Sequence, residues 1–370
     1  MNIKDKNLYY IGGIVRDEII GLQSFDIDLT YNGDAIKFAK NIANAEILQI
    51  NEPFGTVRIK LDGEEIDIAS TRSEIYPQKG HLPIVDKIGC SLKEDVMRRD
   101  FTINAMAKST LTGEIIDYTG GLEDIKTKTL RVLHDNSFID DPTRILRALK
   151  FAVRFGFELD EHSKKLQDAY LANINYDMSY KRLKKELIET FNLNKWHAYK
   201  RFVNQGIYKL VSPLKFKLPE YNFSSLIEKY TSNNIWLIYV GLLPDISNLP
   251  LTKIEKQIVD EFHKLKHNPL TNSLHLEDGR TSFEICKTFK NIPIESIIMY
   301  STINNEVVEK YLNDFKDINI LIDGNNLKSL GFEPSPKYQE CFDYILSKKI
   351  QNPNLTKDDE IKLAKEFFNI

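Results

Sequence analysis

The spacing of apolar residues changes once along this chain, and that change limits what each part can fold into. Through about residue 125, short alternating runs suited to strands (residues 8–11, 26–30, 56–61, 65–69 and 114–117) are interleaved with helical stretches at 15–21 and 34–43. Strands mixed with helices imply an α/β unit. From Asp141 onward the apolar period lengthens, with Ile145, Leu149, Ala152 and Phe155 at helical spacing, and the rest reads as all-helical. Amphipathic helices are expected at 181–191, 253–266, 282–289, 336–348 and 357–368, and proline-containing breaks near 213–219, 244–250 and 291–293 mark soft boundaries.

At 370 residues the chain exceeds what one hydrophobic core supports, so two or more packed units are expected. Its longest apolar stretch, around Ile235 to Leu243, is far shorter than the roughly 18–20 residues that span a bilayer. The first residues lack the apolar core of a secretory signal, so a cytoplasmic protein with no membrane partner is expected. Cys90, Cys286 and Cys341 lie far apart and read as buried small apolar residues. The net charge of −3 hides an asymmetry: residues 1–125 hold 14 Lys and Arg against 21 Asp and Glu, whereas residues 126–200 hold 15 against 10. Metal-collecting carboxylates beside a phosphate-collecting surface would give this pattern, and so would ordinary surface variation.

Five segments carry chemistry. Gly12-Gly13-Ile14-Val15-Arg16-Asp17 follows a strand-like run and opens a helix, where glycine lets the backbone approach a phosphate and Arg16 offers a fork to its oxygens. In Asp26-Ile27-Asp28-Leu29 the two carboxylates, at i and i+2 of an extended segment, point to one side and could share a metal ion, with Ile27 and Leu29 facing the core. Glu65-Ile66-Asp67-Ile68 repeats the pattern, so Asp67 could bring a third carboxylate; hard oxygen ligands near a phosphate turn point to Mg²⁺ chemistry on a nucleotide. Arg98-Arg99-Asp100 places a basic pair where it could clamp a triphosphate. Each segment alone could equally be a common turn or a solvated face.

The fifth segment is Asp140-Asp141-Pro142-Thr143-Arg144, with proline placed for a first helical turn. Asp141, Arg144, Arg147 and Lys150 recur every three residues as a polar stripe opposite Ile145 and Leu149. A carboxylate accepts from the amino group of cytosine or adenine while a guanidinium donates to the adjacent ring nitrogen; uracil and guanine present the opposite pattern. Asp141 and Arg144 could therefore accept C and A and reject U and G, with Arg147 and Lys150 serving phosphates or ordering the site. An exposed basic helix face is the competing reading.

Together, from Tyr9 to about Glu189, these segments resemble the class II tRNA nucleotidyltransferases, a family that includes bacterial poly(A) polymerases. Gly12 to Asp17 looks like the family's nucleotide-binding turn, Asp26 and Asp28 like its catalytic metal pair, Arg98 to Asp100 like its Arg-Arg-Asp motif, Asp117 to Leu122 like its head–neck hinge, Asp141 and Arg144 like its amino-acid template, and Ser179 to Leu187 like its neck-stabilising motif. The resemblance implies an α+β fold: a polymerase-β-like nucleotidyltransferase head with a mixed sheet at 1–125, then an all-α neck at 126–195, body at 196–300 and tail at 301–370. It implies a catalytic set of Asp26, Asp28 and Asp67, metal held by Asp26 and Asp28, and nucleotide bound by Gly13, Arg16, Arg99, Asp141, Arg144, Arg147 and Lys150. The implied cofactor is Mg²⁺, and the implied partners are CTP, ATP and the 3′ end of tRNA, to which CCA would be added.

The chain departs from the pattern in having Asp140 for the usual Glu and Lys150 for the usual Arg, and it lacks a His-Asp metal motif in the helical part. Residues 322–327 and 331–336 resemble, weakly, the tRNA-binding tail of CCA-adding enzymes, with Asn326 where Asp is usual and Ser335 between two prolines. A near-normal loop between Arg72 and Arg98 favours switching from C to A. Partial A-adding or CC-adding activity, poly(A) synthesis, and a non-catalytic RNA-binding role are the alternatives.

Overall fold

A computed structural model describes residues 3–24, 26–268, 271 and 281–369. Seven of its strands form one mixed sheet: β1 (Leu8–Ile11), β2 (Ile27–Tyr31), β3 (Glu46–Asn51), β4 (Thr56–Leu61), β5 (Glu64–Ser70), β8 (Met106–Ser109) and β9 (Ile115–Asp117), in the order β3-β4-β5-β2-β1-β8-β9. Only β2 and β5 run parallel; every other neighbouring pair is antiparallel. Asp62 and Gly63 join β4 to β5 with φ of 53° and 87°. Two positive φ values make the tight hairpin turn whose twist matches that of its strands, which fixes the register. Leu8, Leu29, Val57, Ile59, Ile66 and Ile68 alternate onto one face and are buried with Ala35 and Ala39 of helix α2 (Ala35–Lys40). The same alternation turns Asp28, Arg58 and Asp67 to the other face.

Strands β1 and β4 fall where the apolar pattern predicts them, and β2, β5 and β9 within a residue. Six others were not expected. β3 is a fully exposed edge strand with no alternation of burial to announce it. β6 (Arg72–Ile75) and β7 (Ile84–Ile88) pair as a separate two-stranded sheet, and β8 is buried along most of its length, so its side chains do not alternate. The stretch read as all-helical also holds the two-residue strand β11 (Glu158–Leu159), parallel to β10 (Thr129–Leu130).

Helices α1 (Gly13–Ile20), α3 (Leu92–Met97) and α4 (Gly121–Lys126) complete the sheet-bearing part. After them come α5 (Ser137–Asp140), α6 (Thr143–Phe155), α7 (Glu161–Ala172), α8 (Tyr180–Phe191) and α9 (Trp196–Asn204). Residues 1–217 with 243–250 pack as one compact unit, so the sheet and the helices expected to form the neck lie together. The second unit, 218–242 with 251–370, is helical among its described residues, including Lys253–His267, Lys337–Gln351 and Lys357–Phe367. Its last two helices are joined by a buried ion pair, Lys349 with Glu360, whose other carboxylate oxygen accepts from the backbone N–H of Leu321 and Ile322 at 2.6 and 3.0 Å. All three cysteines are buried and unbonded, as expected.

Candidate active site

The register of the sheet sets the site. Arg58 pairs with Asp67 across β4 and β5, and Asp67 with Asp28 across β5 and β2, so the three side chains stand in a row on the open face. Arg58 donates from Nε to Asp67 Oδ1 and from Nη2 to Oδ2, both at 2.8 Å. Asp67 therefore reaches the place expected for a third carboxylate, but arrives there already held by an arginine. Asp26 is exposed immediately before β2. Among the described residues no hydrogen bond or ion pair engages the carboxylate of Asp26 or Asp28, and no three Asp, Glu, His or Cys side chains are grouped to hold a metal ion. Asp28 opens to solvent inside a concave wall; desolvation by that wall, then the like charge of Asp67, push its carboxyl above the usual range. The carboxylates of Asp26 and Asp28 offer oxygens with no protein partner among the described residues, and carboxylate oxygens are what a divalent ion such as Mg²⁺ takes. The donor set thus fits the implied ion at Asp26 and Asp28.

A cleft of about 460 Å³ lies over this row, lined also by Arg72, Arg98 and Arg99. Sequence reading missed the residue that arranges the two neighbouring arginines. Asp95, fully buried, accepts from Arg98 at 2.9 and 3.0 Å, from Arg99 at 3.3 Å and from the backbone N–H of Arg72 at 3.1 Å. Burial alone would raise its carboxyl, but Arg99 and Arg98 together hold it below the usual range. Its place three and four residues before two arginines that follow the end of α3 was the available signal. Arg99 keeps Nε buried with no hydrogen-bond partner, which leaves this cation incompletely satisfied beside the cleft. Gly12, at φ 75°, sits so close that a Cβ there would stand 3.0 Å from Arg99 Nη1. The glycine turn is therefore adjacent to Arg99, and α1 begins at the next residue, Gly13.

Arg16 lies elsewhere. It is 5% exposed, donates from Nε to Asp17 at 2.8 Å and from Nη1 to Asn104 Oδ1 at 2.5 Å, and stacks over Phe155 and Phe151 at 4.7 and 5.2 Å. This side chain ties the first helix to α6 rather than entering the cleft.

The template stripe is likewise inside. Asp141 and Arg144 are each 4% exposed. Asp141 Oδ1 accepts from the Thr143 N–H at 3.1 Å and hydroxyl at 2.6 Å, closing the turn before α6, while Oδ2 accepts from Arg182 of α8. Arg144 donates to Ser137 Oγ at 2.7 Å, the Arg98 carbonyl at 3.0 Å and the Tyr76 hydroxyl at 3.3 Å. Arg147 pairs with Asp100 and Glu186, and Lys150 with Glu186 and Glu189, so α6 and α8 are joined by a ladder of charges. Burial would raise Asp100, but Arg147 and then the Asn104 amide drive it far below the usual range. Loop residues 76–82 clasp the same corner: Lys79 pairs with Asp140 at 2.6 Å, Gly80 exchanges backbone hydrogen bonds with Asp140 and Ser179, and Arg182 donates to the His81 carbonyl. At the expected hinge, Asp117 accepts backbone N–H bonds from Thr119, Gly120 and Leu122 at 2.9–3.0 Å, and Gly121 meets the Thr102 carbonyl too closely for any side chain.

A mixed sheet with carboxylates on its open face, with a glycine turn and an arginine cluster beside them, has the make-up of a nucleotidyltransferase head. Residues 8–131 match the poly(A) polymerase head domain. The chain is 32% identical to an A-adding tRNA nucleotidyltransferase of Geobacter sulfurreducens over 96% of its own length and 44% of that protein's. It is 29% identical to another A-adding tRNA nucleotidyltransferase, of Halalkalibacterium halodurans, over 98% of its own length and 89% of that protein's. Thus it spans less than half of the first relative and most of the second. Its fold matches that of the Thermotoga maritima CCA-adding enzyme complexed with tRNA, with a TM-score of 0.78 at 24% identity, covering 98% of this chain and 90% of the other. Residues 8–131 therefore carry a poly(A) polymerase head domain, and the chain as a whole is similar to tRNA nucleotidyltransferases. Among its described residues no helix is long and apolar enough to cross a membrane.

Proposed function

We propose that this protein is a template-independent RNA nucleotidyltransferase that adds CCA to the 3′ end of tRNA from CTP and ATP, releasing pyrophosphate. The observation that carries the transfer reaction is the pair of unengaged carboxylates, Asp26 and Asp28, beside the incompletely satisfied Arg99 and the Gly12–Gly13 turn. Mg²⁺ held by Asp26 and Asp28 would supply Lewis-acid activation of the RNA 3′-hydroxyl and charge neutralisation for the leaving pyrophosphate. Gly13 and Arg99 would receive the triphosphate, the first through a close backbone and the second as a charged fork. Asp141 and Arg144 would read the base edge, which requires Asp141 to exchange Arg182 for the nucleobase amino group. Arg147 and Lys150, paired with α8, order that corner, and Arg16 braces α1 against it. The helical part would hold the tRNA, with boundaries near residues 125, 195 and 300.

A second reading, addition of the terminal A alone, is favoured by one observation: the two relatives compared above, at 32% and 29% identity over 96% and 98% of this chain, both carry the name A-adding. Purified protein given tRNA transcripts ending before, within and one residue short of CCA, with each labelled NTP singly, separates the readings. CMP then AMP incorporation supports CCA addition, and AMP on the CC end alone supports the second reading. No incorporation on any end rejects both in favour of RNA binding without catalysis.

A further inference from the structure

The pair Arg58–Asp67 stands in the row that would receive the ion. Asp67 is the middle member, between a cation on β4 and a second carboxylate on β2, and it can answer to only one side at a time. It presently turns both oxygens to the arginine fork. Both partners are nearly half exposed, at 45% and 48% of the side chain, so water competes with the pair and the bond is readily exchanged. Arg58 also has somewhere to go. Its Nη1 lies 3.9 Å from Glu65, two residues before Asp67 on the same face of β5, so release from Asp67 does not strand the guanidinium. A divalent ion at Asp28, in register with Asp67, competes with Arg58 for the same two oxygens.

We propose that Arg58 is a positioning residue that occupies Asp67 in the ion-free cleft and yields it when a divalent cation settles at Asp28, so that Arg58 sets how tightly the cleft holds the ion. This rests on the nucleotidyltransferase reading of the cleft. An ordinary cross-strand ion pair, formed for the sheet's sake, is the competing account.

The test is Mn²⁺ binding to the full chain, followed by the free-ion electron paramagnetic resonance signal, without nucleotide. Arg58→Gln should bind Mn²⁺ about two- to fivefold more tightly than the unaltered protein. Arg58→Lys, which keeps a cation but loses the fork, should bind more tightly by a smaller factor. Asp67→Asn should bind more weakly, and adding Arg58→Gln to it should restore nothing. Unchanged or weaker binding by Arg58→Gln overturns the proposal, as does an equal gain with and without Asp67, which would mark a general field effect. If Asp28→Asn binds Mn²⁺ as well as the unaltered protein, the cleft is not an ion site and both readings fall. If Asp28→Asn loses the ion while Arg58→Gln changes nothing, this proposal fails alone.

Discussion

Two sets of charges looked alike in the sequence, a carboxylate pair on the sheet and a cation-rich stripe on α6, and the structure treats them oppositely. On the sheet, Asp26 and Asp28 stand open and unengaged, and Asp67 is held by one half-exposed arginine. On α6, Asp141 and Arg144 are buried, and Arg147 and Lys150 are paired to Asp100, Glu186 and Glu189. Pleating and register decide the placing of Asp28 and Asp67, which are paired across β2 and β5 and therefore share a face. A helical stripe can be covered by another helix, and α8 supplies carboxylates at matching positions. Charge on the sheet is thus available for chemistry, whereas most of the charge on the helix is invested in shape.

The largest contrast should come from removing one member of each set. Asp28→Ala should reduce transfer at least about a hundredfold, since metal-assisted charge stabilisation is worth several kcal/mol, with an unchanged melting temperature. Near-normal incorporation would remove Asp28 from the metal site. Arg147→Ala should instead act on stability. It leaves Asp100 buried without its partner and should cost about 2–4 kcal/mol in a denaturant titration, the range lowered because Arg147 is a third exposed. A loss under about 0.5 kcal/mol, within the range of ordinary surface substitutions, would show that the ladder is decorative.

These differences show which parts of the molecule local sequence could reveal. The strands β1 and β4 and the facing carboxylates Asp28 and Asp67 were legible because a period of two is a local property. Arg58 was missed although a signal existed: Asp62-Gly63 is a two-residue hairpin turn, and counting outward from it pairs Leu61 with Glu64 and Arg58 with Asp67. The inward course of Arg16 was not legible, because Phe151, Phe155 and Asn104 reach it from positions some 88 to 139 residues away. Nor was the ladder, whose carboxylates, Asp100 and on α8 Glu186 and Glu189, lie 36 to 47 residues from their cations. The expected phosphate role of Arg16 came from its place after two glycines; in the structure its side chain packs inward against Asn104, Phe151 and Phe155.

Acid should weaken the helical set by a route the sheet does not share. Asp100 and Asp95 titrate lower in the folded chain than unfolded, so their stabilising contribution is complete above the unfolded value of about 3.9 and is lost as pH falls through the folded values. The melting temperature should therefore fall below about pH 4, and fall less steeply in Arg147→Ala; parallel curves for the two proteins would place the acid sensitivity elsewhere. A smaller effect is expected at the turn. Gly12→Ala forces a side chain into φ 75° against Arg99 and should cost about 1–2 kcal/mol of stability while raising the KM for nucleotide. An unchanged KM would separate the turn from the triphosphate.

The division of labour between sheet and helix is tested most directly by single-nucleotide incorporation with all four NTPs, comparing Arg144→Ala with the unaltered protein on a tRNA that accepts the next residue. Loss of a charged hydrogen bond to the base is worth roughly 1.5–3 kcal/mol, so discrimination against UTP and GTP should fall by about one to two orders of magnitude. Transfer at saturating nucleotide should persist, because the carboxylates on the sheet are untouched. A uniform loss of rate for every nucleotide, with the order of preference unchanged, would contradict the account and show that α6 supports the fold while the base is chosen elsewhere.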